Sequence, residues 1–228
     1  NGNASWARKG GGSSYEYGTS VQIDNNDKIF ISGYNYSTNS VFGSVSLTTA
    51  GPYFMRYNTS GSAIAGQSGG GLAYMNRISL DNEGNLYMSG LMAANNNISM
   101  GGLSVTNPSG SSYTPYFYKY DYANSDAEYL IAPTSSSNIE YECAISAYSE
   151  DYVFANGSFY GTTAFGSTSL ISTSYDGFLT RIANCDQLVA VASSSAGNAV
   201  CSGEITQLQA DTNSLYSYQW LYNGAVLS

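Results

Sequence analysis

A repeated order of short apolar runs constrains this fold more than any other feature of the chain. Three segments share an apolar run, a polar stretch, a second apolar run and a closing glycine, at Gly33, Gly90 and Gly157. These glycines are separated by 57 and 67 residues. Each segment continues with a small hairpin-like motif, a third run and a fourth; the third runs are residues 53–57, 116–120 and 177–182. Short β-branched or aromatic runs bounded by Gly, Asn and Asp are typical of strands.

Four strands per unit, at a period of roughly 60 residues, predict blades that must stack on neighbours to bury their faces. We therefore expect an all-β chain in which residues 1–198 form β-propeller-like repeats, with blades at about 13–69, 70–136 and 137–198. Residues 5–12 match the fourth-strand region 64–70, which predicts that the chain opens on a leading outer strand. Because three blades are too few for a closed ring, we expect further repeats upstream and a chain that is an excerpt.

The order of landmarks resembles a known repeat family. The runs SVQIDNNDKIFISG, VFGSVSLT and YFMRYN, with Trp6-Ala7 near a blade end, are similar to the bacterial β-propeller repeats of the SBBP type, which are common in large secreted proteins of the Bacteroidetes. The resemblance covers roughly residues 4–195. It implies a propeller fold, an extracellular or cell-surface location and the possibility of type IX secretion. The family carries no defined catalytic motif. The second copy departs from the pattern at Met100-Gly101, and the third lacks the Asp-Asn turn.

The sequence pattern of the chain changes from Cys201 onward. Alternating strand-like residues lead to Trp220 and then to Asn223-Gly224. This stretch resembles the opening of an Ig-like or PKD-like β-sandwich, in which a Trp packs between sheets and Asn-Gly turns a hairpin. Residues 199–228 are therefore interpreted as the beginning of an incomplete second domain.

Charge and hydropathy exclude two classes of partner. The net charge is −9 with only seven Lys plus Arg, which are scattered along the chain. Nucleic-acid binding needs a cationic stripe, so neither nucleic acid nor an anionic membrane surface is expected as a partner. No apolar run is long enough to cross a bilayer as a helix, which takes about 18 residues or more. The expected partners are other surface or secreted proteins, or glycans.

Catalytic chemistry is poorly represented in this sequence. The chain has no histidine, and therefore lacks the usual general base and the commonest metal ligand. Two carboxylate pairs, Asp24 with Asp27 and Asp81 with Glu83, lie in predicted turns, where Asp caps its own backbone. The alternatives are weak calcium binding and glycosidase-like carboxylate catalysis. We expect a protein that is not an enzyme and has no cofactor.

Alternating tyrosines mark one predicted strand. Tyr116, Tyr118, Tyr120 and Tyr122 recur at every second position, which places them on one face. Such a row packs blade against blade, and we favour this interpretation. The alternative is a possible ligand surface for carbohydrate, formed by Tyr116, Tyr118 and Tyr120.

Three cysteines allow at most one disulfide within the chain. Cys185 and Cys201 could close a loop of roughly 15 residues, worth about 3 kcal/mol in an oxidising compartment. Cys143 lies in a strand-like run, and we expect it to pack as a small buried apolar residue. An odd cysteine count also allows a partner cysteine outside this segment.

Several functional hypotheses follow from these patterns. The first is a non-enzymatic secreted or cell-surface protein, structural or adhesive, whose propeller is a rigid display or docking module. The second is a carbohydrate-binding propeller that captures polysaccharide. A hydrolase using carboxylates is a third, and a fragment of type IX secretion cargo is a fourth.

Overall fold

The chain is built from open antiparallel sheets. The computed structural model describes residues 2–107, 113–135 and 143–182, together with strand pieces at 193–194, 208–209, 221–222 and 225–226. Within those residues every regular element is a strand and no helix occurs, which confirms the predicted all-β class. Two compact units are distinguished, Asn1–Asn184 and Cys185–Ser228.

The first copy of the repeat contains a four-stranded sheet and a small hairpin. Its strands are β1 (Gly10–Gly11), β2 (Glu16–Ile23), β3 (Ile29–Asn35), β4 (Ser40–Phe42), β5 (Val45–Leu47), β6 (Gly51–Tyr57) and β7 (Ala63–Ser68). Strands β2, β3, β6 and β7 pair in that order, all antiparallel, to form sheet 1. Strands β4 and β5 form the hairpin between β3 and β6.

The second copy repeats this plan. Its strands are β8 (Ala73–Leu80), β9 (Leu86–Ala93), β10 (Asn97–Met100), β11 (Leu103–Thr106), β12 (Tyr113–Asp121) and β13 (Asp126–Ile131). Sheet 2 has the order β8-β9-β12-β13, and β10 and β11 form its hairpin. The predicted unit of four strands with an inserted hairpin is thus confirmed in both copies.

The third copy merges the hairpin with its sheet. Its strands are β14 (Thr134–Ser135), β15 (Cys143–Ser149), β16 (Tyr152–Phe165) and β17 (Thr168–Ile182). Sheet 3 pairs β15, β16 and β17, and the β16–β17 pairing continues to the hairpin turn at Phe165 and Thr168. The connecting stretch here is rich in Thr, Tyr and Phe, which favour extended backbone. The predicted fourth strand, residues 188–191, lies outside the described residues.

The segments that enter each copy all pair with the hairpin of that copy. Strand β1 pairs with β4, Gly70 bridges to Ser99 of β10, and β14 pairs with the far end of β16. The predicted leading outer strand is therefore corrected. Residues 5–9 form no strand, and Gly10–Gly11 form a two-residue strand that pairs with β4 of the first hairpin.

The three sheets stack face to face over two apolar cores. One core joins sheets 1 and 2 through residues such as Phe30, Phe54 and Met88. The second joins sheets 2 and 3 through residues such as Tyr87, Phe117 and Val153. The closed ring of a propeller remains a prediction.

The second unit contains two short strand pairs. Strand β18 (Ser193–Ser194) pairs with β19 (Leu208–Gln209), and β20 (Leu221–Tyr222) pairs with β21 (Ala225–Val226). The last pair flanks the predicted Asn-Gly turn, whose residues 223–224 lie outside the described part of the chain. The sandwich domain remains a prediction.

Candidate functional site

A cleft lined by tyrosines opens between sheets 1 and 2. Its volume is about 550 Å³. The lining residues are Tyr17, Gly18, Thr19, Tyr34, Tyr36, Tyr74, Leu91 and Tyr113. None of these side chains carries a charge at neutral pH, and five of the eight are tyrosines.

Strand ends bring these tyrosines together. Tyr17 lies near the start of β2 and pairs across the ladder with Tyr34, near the end of β3. Tyr74 and Tyr113 lie at the starts of β8 and β12. Because neighbouring strands are antiparallel, these starts and ends share one edge of the sheets. A register shift between Gly18 and Ser20 separates the cleft end of β2 from the rest of its ladder.

The rings form a continuous aromatic network. The centroids of Tyr34 and Tyr36 are 4.5 Å apart and those of Tyr17 and Tyr36 are 6.1 Å apart, both edge to face. Tyr34 stacks on Tyr74 across the sheets at 6.4 Å. Tyr74 meets Tyr113 edge to face at 5.7 Å. Separations of this size are those of favourable aromatic pairs, so each ring is held by at least one neighbour.

Exposure divides the cleft into a floor and two walls. Tyr34 is 7% exposed, and its hydroxyl donates a hydrogen bond to the Gly71 carbonyl at 3.3 Å. Tyr36 and Tyr17 are 40% and 53% exposed. A ligand would therefore rest on Tyr34 and contact the open rings of Tyr17 and Tyr36.

The hydroxyls of Tyr34 and Tyr74 remain protonated at neutral pH. Burial, followed by the neighbouring Tyr36 and Tyr74, raises the pKa of Tyr34 to about 12. Burial also raises the pKa of Tyr74, with further contributions from Tyr36 and Tyr113. Neutral phenols both donate and accept hydrogen bonds, so the cleft offers apolar faces and uncharged polar groups.

Comparison between the copies shows that stacking does not require these tyrosines. Sheet 2 has Leu91 and Ala93 at the repeat positions of Tyr34 and Tyr36, 57 residues later. Leu91 is 4% exposed and Ala93 is 9% exposed. The same positions therefore pack well with aliphatic side chains in the second copy. Aligning the copies position by position would have revealed this difference from the sequence.

The tyrosines proposed from the sequence as a ligand surface lie elsewhere. Tyr116 and Tyr118 are both 0% exposed in the core between sheets 1 and 2, and Tyr120 packs against that core. The ligand-surface alternative is wrong for Tyr116 and Tyr118, because side chains without exposed surface cannot meet a ligand. These two side chains pack between sheets, in agreement with the favoured packing interpretation.

The Asp24 carboxylate caps its own turn. Its Oδ1 accepts hydrogen bonds from the backbone N–H of Asn26 at 2.8 Å and of Lys28 at 2.7 Å. Its Oδ2 lies 3.4 Å from Nη2 of Arg56. Asp27 adopts a positive φ of 58° in the same turn. These contacts confirm the predicted capping role of Asp24.

Asp81 has the same role in the second copy. Its Oδ1 accepts from the backbone N–H of Glu83 at 3.0 Å and of Asn85 at 2.9 Å. Its Oδ2 accepts from the Asn85 amide at 2.9 Å and from the Tyr87 hydroxyl at 3.0 Å. Among the described residues, no group of three or more His, Cys, Asp or Glu side chains is placed to hold a metal ion.

Cys143 is buried at 2% exposed, as predicted. Burial raises the pKa of its thiol to about 12, although a hydrogen bond with Ser89 acts in the opposite direction. The thiol is therefore un-ionised at neutral pH and unreactive. The possible disulfide between Cys185 and Cys201 lies outside the described residues.

The comparisons with known proteins place this chain in no family. No family model matches the sequence. No curated protein matches it either. The resemblance to bacterial propeller repeats therefore remains a prediction. In the described part of the chain, no helix is long and apolar enough to span a membrane.

Proposed function

We propose that this chain is a non-enzymatic binding module of a secreted or cell-surface protein, and that it captures a neutral glycan in the tyrosine-lined cleft. The observation that carries the proposal is a cleft with five tyrosines and no charged side chain in its lining. The stacked, propeller-like repeats supply the rigid frame that displays this cleft. The adhesive role expected from the sequence follows from glycan capture at a surface.

The chemistry of the cleft matches that of a sugar. The C–H faces of a pyranose ring pack on aromatic rings, while its hydroxyls exchange hydrogen bonds with phenols. Pockets of about 300–1,000 Å³ hold small ligands, and the cleft, at about 550 Å³, falls within this range. An anionic or cationic ligand would find no opposite charge among the lining side chains.

The proposal is non-enzymatic because the strongest carboxylate candidates are engaged in structure. The Asp24 and Asp81 carboxylates accept hydrogen bonds from their own turns. A carboxylate committed in this way is poorly available as a nucleophile or base.

A glycan array followed by titration calorimetry tests the proposal. The variant Tyr34→Leu/Tyr36→Ala installs the side chains that the second copy has at the same positions, so its fold should be retained. We expect affinity for the selected glycan to fall at least tenfold, because two aromatic contacts are removed, each worth about 1 kcal/mol.

A matched control is available in sheet 3. The rings of Tyr160 and Tyr175 lie 5.8 Å apart and are 41% and 54% exposed. Tyr175→Ala removes an exposed aromatic ring that is not part of the cleft lining and should leave glycan affinity unchanged. The proposal fails if no glycan binds, or if the double variant and the control bind equally well.

A further inference from the structure

A second, smaller pocket opens at the edge of sheet 1 opposite the tyrosine-lined cleft. It lies between the turn of the β4–β5 hairpin, the β6–β7 turn and the segment that carries Arg8 and Lys9, and its volume is about 330 Å³. Tyr57, which lines it, pairs with Ile29 at the start of β3, whereas Tyr34 of the cleft lies near the end of that strand. Because β3 extends by about 3.3 Å per residue, the two pockets are separate sites.

The lining of this pocket is cationic. Two of the seven basic residues of the chain, Arg8 and Lys9, belong to it, and none of the described residues that line it is acidic. In the described part of the chain neither side chain forms an ion pair with a carboxylate, whereas Arg56 and Lys119 do. Two adjacent positive charges without a carboxylate partner attract an anion, even in a chain whose net charge is −9, because salt screens the more distant charges.

Backbone carbonyls hold the Arg8 guanidinium in place without neutralising its charge. Nε donates a hydrogen bond to the Gly61 carbonyl at 3.1 Å, Nη2 to that of Ser60 at 2.8 Å and Nη1 to that of Ala7 at 3.0 Å. The guanidinium carbon also lies 5.5 Å from the centroid of the Trp6 ring, which is a cation–π contact. A guanidinium has five N–H groups, so one on each terminal nitrogen remains to bind a ligand.

The register of the hairpins shows which residues of the second copy correspond to Arg8 and Lys9. Strand β1 pairs with β4 in the register in which Gly70 bridges to β10, so corresponding positions here lie 59 residues apart. The second copy therefore has Gln67 and Ser68 at the positions of the two basic residues.

The same corner of the second copy carries no cation from these positions. Gln67 replaces Arg8, and its Oε1 accepts a hydrogen bond from the Tyr118 hydroxyl at 2.6 Å. Asp126 has the position of Ser62 in the ladder of its own sheet. The corner thus packs with neutral and acidic side chains in one copy, so the two charges of the first copy are not needed for packing.

The groups in this pocket match an oxyanion that is attached to an organic molecule. Arginine binds sulfate and phosphate through paired N–H groups, and lysine adds a point charge with three donors. Ser62 and Tyr57, which also line the pocket, carry hydroxyls. Burial raises the pKa of Tyr57, so its phenol keeps the proton that it can donate. The volume of about 330 Å³ is within the range of pockets that hold small organic ligands.

We propose that this pocket binds the sulfate or phosphate ester group of a sugar, with Arg8 and Lys9 as the cationic ligands. The two remaining N–H groups of Arg8 bind two oxygens of the ester, and Lys9 binds a third. The hydroxyls of the lining exchange hydrogen bonds with the sugar. This site does not depend on glycan capture in the tyrosine-lined cleft.

Titrations followed by amide ¹H–¹⁵N correlation spectra test this site. The probes are glucose 6-sulfate, glucose 6-phosphate and unmodified glucose, at constant pH and ionic strength. We expect one or both esters to shift the amide signals of Gly43, Gly61 and Ser62, whereas glucose leaves them unchanged. The ester that binds more tightly identifies which of the two groups the pocket prefers.

Two substitutions remove the charges one at a time. Arg8→Gln installs the side chain that the second copy has, and should weaken ester binding at least tenfold because the paired N–H groups are lost. Lys9→Gln should weaken it at least fivefold. Lys9 lies outside the contacts that hold the segment on the β6–β7 turn, so this variant tests the site even if Arg8→Gln releases the segment.

Lys28→Gln is the matched control, because it changes the net charge by the same amount. The Lys28 amine donates to the Asn26 carbonyl at 3.2 Å, and the residue is not part of the pocket lining. This variant should bind the esters like the wild type. The inference is overturned if neither ester shifts the three amide signals, if glucose shifts them equally, if Lys9→Gln binds like the wild type, or if Lys28→Gln weakens binding as much as Lys9→Gln does.

Discussion

A buried lysine of sheet 2 forms an ion pair with the third copy. Lys119 has a side chain that is 0% exposed, and its Nζ lies 2.6 Å from Glu128 and 2.5 Å from Glu150. Burial by itself would lower the pKa of Lys119, but hydrogen bonds and attraction from the two glutamates outweigh it and raise the pKa. The charge therefore stays in the core because both carboxylates compensate it. Glu150 comes from the third copy, so the ion pair also joins two sheets.

Removing this amine should destabilise the fold. We expect Lys119→Ala to lower the free energy of unfolding by about 3 kcal/mol, at the lower end for a broken buried pair because both glutamates keep some contact with water. Lys119→Met, which retains most of the volume, should cost less. Urea denaturation measures both. Equal and negligible losses would contradict this account of the ion pair.

The capping carboxylate of Asp81 is a second side chain on which the stability of the fold depends. Asp81→Ala leaves the turn N–H groups of Glu83 and Asn85 and the buried Tyr87 hydroxyl without their acceptor. We expect a loss of about 3 kcal/mol in the free energy of unfolding. Asp126→Ala is the control, because Asp126 is exposed and its Oδ1 accepts a hydrogen bond from the adjacent N–H of Ala127. That variant should lose well under about 1 kcal/mol.

Calcium should not alter stability. The Asp24 and Asp81 oxygens already accept hydrogen bonds from their turns, so ion binding would have to break them. Melting curves in calcium and in chelator are expected to coincide. A melting temperature that rises with calcium, and does so less in Asp24→Asn, would restore the calcium alternative.

Within sheet 1, the close approach of two strands requires a glycine at position 33 but not at position 18, its cross-strand partner. Gly33 and Gly18 are paired residues of β3 and β2. A Cβ on Gly33 would lie 1.6 Å from the carbonyl oxygen of Tyr17, whereas a Cβ on Gly18 would meet nothing within 4 Å. The backbone of β2 crosses Gly33 this closely where the ladder changes register, beside the tyrosine-lined cleft.

This pair allows a matched substitution. Gly33→Ala should destabilise sheet 1 by about 2 kcal/mol or more, since backbone must move to relieve the overlap. Gly18→Ala should be close to neutral. Thermal unfolding distinguishes them, and equal effects of the two substitutions would show that the register shift absorbs the added carbon.

Sequence patterns predicted some of the strands and hairpins but not all of them. Apolar runs and turn residues predicted the four strands and the hairpin of the first two copies, because alternation and turn chemistry are local. They did not predict the merged hairpin of sheet 3, which depends on continued pairing between β16 and β17. Nor did they predict the cleft, since Tyr34 and Tyr74 meet only when two sheets stack.

For the whole molecule, the buried tyrosines form one alkaline-sensitive set. Burial is the largest cause that raises the pKa of each member; they are Tyr34, Tyr53, Tyr57, Tyr87, Tyr116, Tyr118, Tyr122 and Tyr129. A phenol whose pKa is raised by folding holds its proton longer in the native state. Its contribution is fully present below the unfolded pKa of about 10 and is lost as the pH rises above it. Lys119, whose pKa is also raised, acts in the same direction.

We therefore expect cooperative unfolding in alkali. The free energy of unfolding should fall steeply between about pH 10 and about pH 12, by up to about 1.4 kcal/mol per pH unit for each buried phenol. Denaturant titrations across this range, with tyrosinate absorbance as a second probe, measure the slope. Stability independent of pH in this range would contradict the burial of these phenols.

Tyr129→Phe provides an internal check. The Tyr129 hydroxyl is buried and has no hydrogen-bond partner. Its removal should raise the free energy of unfolding by about 1 kcal/mol at neutral pH and make the alkaline slope shallower. A destabilised variant would indicate that the hydroxyl is satisfied in solution.

The sequence by itself determined the strand class, the repeat and the capping turns of this protein. Those features follow from alternation and from residues that act on their own backbone, such as Asp24 and Asp81. The tertiary structure alone decided which tyrosines are buried, as Tyr116 and Tyr118 are, and which line a cleft, as Tyr17 and Tyr36 do. The physical reason is that a strand pattern assigns a side chain to a face, whereas only the stacking of sheets decides whether that face meets protein or solvent.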